Sequence, residues 1–219
     1  MATTSGFNRE VINLFSTPAR ILVAGYSNSG KTQLTQKIIE GYHENFHTIL
    51  YCGVDKHPLE RHPEMRHKFR ISREILNPFE YTDCGINKQG LLFILDDCFI
   101  EASDNKFVTQ AFTAGRHSNI SVIFITQNIF HSGKFSRSIS LNCSHFVLMR
   151  NRDMGQIEVL GRQLFGRKKA SDFADIYKRA LSYNKYGYLL VDLAPNTPEE
   201  LQLRTNILGE TKYQVVFQC

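Results

Sequence analysis

An α/β fold with a mostly parallel central sheet is the expectation for this 219-residue chain, and three features carry it. Short apolar runs rich in β-branched residues alternate with stretches whose apolar positions recur at helical spacing, the pattern of strands joined by crossover helices. Those runs are apolar at successive positions rather than every second one, as in strands covered on both faces. Towards the C-terminus two stretches alternate instead, which adds antiparallel strands at the end.

Taken in order, residues 1–18 read as a leader packing at an edge, and Arg20–Ala24 is a buried strand. Gly25–Gly30 breaks it, and Leu34, Ile38 and Ile39 then mark a helix ending near Gly41. His47–Cys52 is the second strand. Residues 53–90, with three histidines and three prolines, predict loops and short helices. Leu91–Leu95 is the third strand, closed by Asp96 and Asp97. A helix over Asn105–His117 presents Phe107, Val108, Ala111 and Phe112 on one face, followed by strands Ser121–Thr126 and His145–Met149. Asp153 with Gln156 three positions on is a helix-start signal, and Ile157, Leu160 and Leu164 continue that helix. Ser171–Leu181 is a further helix, Tyr188–Val191 a strand, and Leu201–Ile207 and Tyr213–Phe217 are edge or hairpin strands. The whole of 1–219 reads as one domain, with a C-terminal strand extension over about 188–219.

Composition narrows the setting. No run approaches the ~18–20 apolar residues a membrane-spanning helix requires, and the N-terminus has neither a basic nor an apolar segment of the kind that directs secretion. Five cysteines without C-x-x-C spacing read as unpaired thiols in a reducing, intracellular compartment. Net charge is +5, and the stretch from Gly133 to Ala170 holds eight basic residues against two acidic ones. That stretch suits a polyanionic partner, or a solvated basic face.

The chemistry begins at Gly25-Tyr26-Ser27-Asn28-Ser29-Gly30-Lys31-Thr32, a full match to G-x-x-x-x-G-K-[ST] between a buried strand and a helix. Terminal glycines let the backbone curl so that successive N–H groups face a phosphate, and the helix adds its positive end. Lys31 then reaches the β- and γ-phosphates of ATP, and the Thr32 hydroxyl ligates Mg²⁺. A metal so placed needs a second anchor and a water needs polarising, which Asp96 and Asp97 supply at the tip of the third strand. The second of these positions more often carries Glu. Gln127, directly after the next strand, fits a γ-phosphate sensor if that strand inserts between the other two, as in the additional-strand class of P-loop ATPases.

With these residues in place, GYSNSGKT, LLFILDDC, TAGRHSNISVIFITQN and SLNCSHFVLMRNRD resemble the genome-packaging ATPases of the FtsK–HerA superfamily. The likeness is to those of large DNA viruses, the poxvirus type included, and of Polinton or adintovirus elements. It runs from about Arg20 to Ile207 and is thin across 53–90. The resemblance implies a RecA-like subunit of a homo-oligomeric ring that drives double-stranded DNA into a capsid, with a capsid or portal-vertex protein as partner and no membrane. It implies work at viral assembly sites in the host cytoplasm or nucleus, or in association with the virion. In such rings an arginine from the neighbouring subunit completes each ATP site. Arg116 matches the family's GRH-type position, with Arg150 and Arg152 as competitors. A motor grips the DNA backbone without reading sequence, and the loop Phe130–Arg137, with Lys134 and Arg137, suits that need, as does Arg167–Lys169.

Two other functions stand beside the packaging motor. One is a DNA pump or helicase of the same superfamily, and the other is a nucleotide-binding switch or scaffold with little turnover. Zinc is discounted, because His57, His62 and His67 with Cys52 and Cys84 match no compact ligand pattern.

Overall fold

The computed structural model describes residues 2–5, 18–54, 62–82, 89–98, 102, 104–130, 136–208 and 214–218. In chain order the strands are β1 (Ala2–Ser5), β2 (Arg20–Ala24), β3 (Phe46–Cys52), β4 (Phe69–Ser72) and β5 (Gly90–Asp96). They continue as β6 (Ile120–Thr126), β7 (His145–Met149), β8 (Tyr188–Asp192), β9 (Leu203–Thr205) and β10 (Gln214–Phe217). The helices are α1 (Lys31–Tyr42), α2 (Lys106–Ala114), α3 (Ser136–Asn142), α4 (Met154–Phe165) and α5 (Ala170–Leu181).

All ten strands form one sheet in the order β1-β10-β9-β8-β7-β2-β6-β5-β3-β4. From β7 across to β4 every pairing is parallel. From β7 the other way every pairing is antiparallel, out to β1 on the edge. Of the leader expected over 1–18, Ala2–Ser5 pair with β10 at the edge of the sheet, and residues 6–17 lie outside the described residues. The short parallel strand β4 was not legible, because its four residues interrupt a polar, proline-bearing stretch.

Continuous apolar runs made both faces of the central parallel strands β2, β5, β6 and β7 dry. On one face Leu22, Phe93, Val122 and Phe124 pack with Phe112 of α2, Ile139 of α3, Ile157 of α4 and Phe173 of α5. On the other, Ile21, Val23, Ile94 and Ile123 pack with Leu34, Ile38 and Ile39 of α1. Each fully buried side chain of this kind contributes about 1.5–3 kcal/mol, which outweighs the weak helical preference of the β-branched residues involved.

Local signals set the helix ends. Asn105 caps α2, its side chain accepting from the Phe107 and Val108 N–H groups at 2.8 and 3.3 Å. Asp153 caps α4 by accepting from Gly155 N at 2.9 Å, and its other oxygen accepts from Gln156 Nε2 at 3.1 Å. The helix predicted over Asn105–His117 ends as a tighter 3₁₀ turn at Gly115–Ser118, after which Asn119 adopts φ 53° and turns the chain into β6.

The antiparallel half is clamped by charge. Asp192 on β8 meets His145 Nε2 of β7 at 3.2 Å and the Arg204 guanidinium of β9, all three buried. Burial opposes the Asp192 charge, but the His145 and Ala194 hydrogen bonds and the Arg204 charge hold its pKa below the ordinary carboxylate value. Cys52, Cys98 and Cys143 are buried thiols, none in a disulfide; Cys84 and Cys219 lie outside the described residues.

Candidate active site at the strand tips

Because β6 lies between β2 and β5, the C-terminal ends of three parallel strands come side by side. Ala24 is level with Thr126, and Asp96 with Ile125. Strands repeat about every 4.8 Å, so whatever follows β2 and β5 is separated by roughly two strand spacings, with Gln127 between.

The loop after β2 is strapped to its neighbours. Gly25 N donates to Thr126 O at 3.2 Å and Tyr26 N to Arg150 O at 3.0 Å. The turn carrying Arg150 is itself held by Tyr177 of α5, which donates to Met149 O and accepts from Asn151 N, both at 2.8 Å. A Cβ on Gly25 would come within 2.8 Å of Met149 Cβ, so only glycine fits there. Gly30 has φ 99°, and a Cβ on it would lie 2.8 Å from the Tyr186 ring. Asn28, at φ 64°, tolerates the left-handed region better than most residues. The loop leads directly into α1, which has no side-chain cap and no acidic residue in its first turn. Such an end offers unsatisfied N–H groups and a positive dipole to an anion.

Lys31 arches back over this loop, its Nζ donating to Gly25 O at 2.6 Å and Tyr26 O at 3.0 Å. Burial pushes its pKa below the ordinary lysine value, while the charges of Asp97 and Asp96 pull it up. The charges of the two acids and of the ammonium therefore act on one another. Asp96 Oδ2 accepts from the buried Tyr51 hydroxyl at 2.7 Å. Burial raises the Asp96 pKa; the Tyr51 hydrogen bond lowers it, Asp97 raises it and Lys31 lowers it. Burial and Asp96 together push the Tyr51 hydroxyl well above its ordinary value. Asp97 stands exposed with φ 52°, and Gln127 Nε2 donates to its two oxygens at 3.3 and 3.5 Å. The turn after Gln127 is held by Gln156 of α4, whose Oε1 accepts from Ile129 N at 2.8 Å.

The residues present fit Mg²⁺ and a triphosphate. Thr32 and Asp96 are hard oxygen donors, the class Mg²⁺ takes. Ser29 Oγ is buried within the loop with no hydrogen-bond partner among the described residues, an orphan that a bound phosphate region would satisfy.

The arginines separate by end of the sheet. Arg116 is exposed, four residues before β6, and its charge acts on Arg20, the first residue of β2. The five residues of β2 span roughly 13 Å, so Arg116 lies at the far end from its own loop. Arg152 is on the near side, its guanidinium 5.3 Å from the centre of the Tyr26 ring. Arg137 is not in a flexible loop as expected but exposed in the first turn of α3, a helix hidden by its polar serine-rich sequence. Lys134 lies outside the described residues, and Arg167–Lys169 forms a 3₁₀ turn between α4 and α5 with Arg167 and Lys168 exposed. Tyr51 and Tyr186 escaped the sequence reading. Tyr51 sits inside an apolar run and reads as core, and Tyr186 sits in a polar turn.

The chain matches no protein-family model and no curated protein. Among solved structures it is similar to the genome packaging NTPase B204 of Sulfolobus turreted icosahedral virus 2 in complex with ATPγS. That match has TM-score 0.56 and 15% identity, and covers 83% of this chain and 95% of B204. It is also similar to the pCW3 conjugation coupling protein TcpA, with TM-score 0.54 and 13% identity over 85% of this chain and 60% of that one. A third is the cytoplasmic domain of the Thermomonospora curvata type VII secretion ATPase EccC, with TM-score 0.53 and 12% identity over 93% of this chain and 26% of that one. At such identities the likeness is one of fold, and with β6 inserted between the loop strand and the acid strand the chain has the RecA-like additional-strand P-loop fold.

Proposed function

We propose that this chain is an ATP-driven translocase of double-stranded DNA that packages a viral or virus-like genome. The observation that carries the reading is that the charges of Asp96 and Asp97, at the tip of the strand two places from the loop strand, act on Lys31, with Gln127 between them bonded to Asp97. A site that only binds nucleotide has no use for a second carboxylate paired to a side-chain amide. Similarity of fold to B204, a genome packaging NTPase, supports the same direction.

In this reading Thr32 and Asp96 would hold Mg²⁺, which would supply positive charge against the phosphates. Lys31 leaves the carbonyls of Gly25 and Tyr26 for the β- and γ-phosphates. Asp97 takes a proton from a water that Gln127 orients. The water oxygen bonds to the γ-phosphorus as the bond to the β–γ bridging oxygen breaks, leaving ADP and phosphate. Copies of the chain assemble as a ring, and Arg116 completes the site of the next copy, because it lies too far from its own. Arg137, with Lys134, grips the DNA backbone, and a capsid or portal-vertex protein anchors the ring.

Phosphate release measured with Mg²⁺–ATP, with and without long duplex DNA, tests the reading. The motor releases phosphate and is stimulated by DNA. Slow release indifferent to DNA would instead make the chain a nucleotide switch.

A further inference from the structure

The acids and Gln127 lie on the β5 side of the loop, across β6, so the γ-phosphate end of a bound nucleotide points that way. The nucleoside must leave towards the opposite side, where β7 and β8 begin the antiparallel half of the sheet. A cavity of about 330 Å³ lies there, walled by Leu34, Met149, Tyr186, Tyr188 and Leu208. It shares Gly30, Gln33 and Tyr186 with a smaller cavity of about 240 Å³ over Asn28, Lys31 and Thr32. The two are one cleft: a phosphate end lined by the loop and an apolar end with an aromatic wall. Volume and lining suit a base and its ribose.

Tyr186 is the link. It is 38% exposed in a polar turn, yet its ring rests against Gly30, where a Cβ would meet it at 2.8 Å. The turn is built to hold it there. Tyr186 N donates to Asn184 Oδ1 at 2.9 Å, and Gly187 N to Asn184 O at 3.0 Å. A Cβ on Gly187 would come within 2.5 Å of Leu181 O, so the chain passes tightly from α5 to β8 only as glycine. Asn184 and Asn206 also line the cavity, placing polar side chains beside its apolar wall. Lys185 Nζ lies 5.4 Å from the Tyr186 ring, a cation beside the passage between the two ends.

We infer that this cavity is a purine-base subsite with Tyr186 as its aromatic wall, so that the antiparallel half of the sheet selects the nucleotide which the parallel half cleaves. The inference rests on the loop being a triphosphate site, and the test separates the two. The full chain is titrated calorimetrically, with Mg²⁺, against ATP, CTP and inorganic tripolyphosphate, as wild type, Tyr186→Ala and Tyr186→Phe. Tyr186→Ala weakens ATP roughly tenfold and leaves tripolyphosphate within about twofold, the loss expected on deleting an aromatic contact to a base. Tyr186→Phe binds as wild type, and the wild-type preference for ATP over CTP collapses in Tyr186→Ala. Unchanged ATP binding by Tyr186→Ala, equal weakening of ATP and tripolyphosphate, or wild-type CTP binding as tight as ATP would each overturn the subsite. Failure of wild type to bind ATP and tripolyphosphate alike would overturn the loop assignment itself.

Discussion

The Tyr51 hydroxyl on β3 donates a 2.7 Å hydrogen bond to Oδ2 of Asp96 on β5, the carboxylate that faces Lys31 across the site. Tyr51 thereby fixes the rotation of the carboxyl group and opposes the rise in pKa that burial imposes on it. Tyr51→Phe keeps the ring in the core and removes the oxygen. The Asp96 pKa then climbs further, and since only the carboxylate binds metal, activity falls off at a higher pH than in wild type. The Mg²⁺ concentration for half-maximal phosphate release rises several-fold, about the loss of one charge-assisted hydrogen bond. An unchanged Mg²⁺ requirement and pH profile would make Tyr51 a core residue only.

Lys31→Ala removes the cation that spans the loop and the acids. Nucleotide binding or turnover is lost to the detection limit of a phosphate-release assay, while the melting temperature stays close to that of wild type, because the Lys31 hydrogen bonds among the described residues go to loop carbonyls. Wild-type hydrolysis in this variant would remove the site assignment.

Mixing subunits tests Arg116. Arg116→Ala and Asp97→Asn are each inactive alone if Arg116 acts on the neighbouring copy, and mixtures regain activity because some interfaces then carry neither defect. No recovery at any ratio counts against Arg116. The same experiment with Arg152→Ala gives no recovery, since Arg152 lies beside the Tyr26 of its own loop.

The Asp192 clamp governs stability. Asp192→Asn leaves the Arg204 guanidinium buried without its counter-charge and destabilises the chain by about 3–5 kcal/mol, read from urea unfolding at neutral pH. The folded pKa of Asp192 is depressed, so its contribution is complete above the unfolded carboxylate value of about 3.9 and fades as pH falls below it. Wild type therefore loses stability through that range more steeply than Asp192→Asn. Parallel acid profiles for the two would exclude Asp192 from the clamp.

Some of this was written locally in the chain. A strand, a glycine-bounded turn and a helix are consecutive, so Gly25–Thr32 could be read without knowing what lies beside it, and so could the two acids that end an apolar run. Burial on both faces was legible from runs such as Leu91–Leu95, because an all-apolar strand leaves no face for water. The helix α3 and strand β4 were not legible, since each is short and held by what it packs against rather than by its own periodicity.

What residues do to one another across strands was decided only in three dimensions. Tyr51 and Asp96 are forty-five positions apart, and whether they touch depends on the register of β3 against β5, where a slip of one residue would turn the hydroxyl to the opposite face. The same holds for Tyr186 against Gly30, and for Arg116, whose motif says nothing of which end of the sheet it occupies. Sequence therefore determined which chemical groups this protein owns and the turns that carry them. Folding decided their distances, because strand order and register are collective outcomes of packing the two cores.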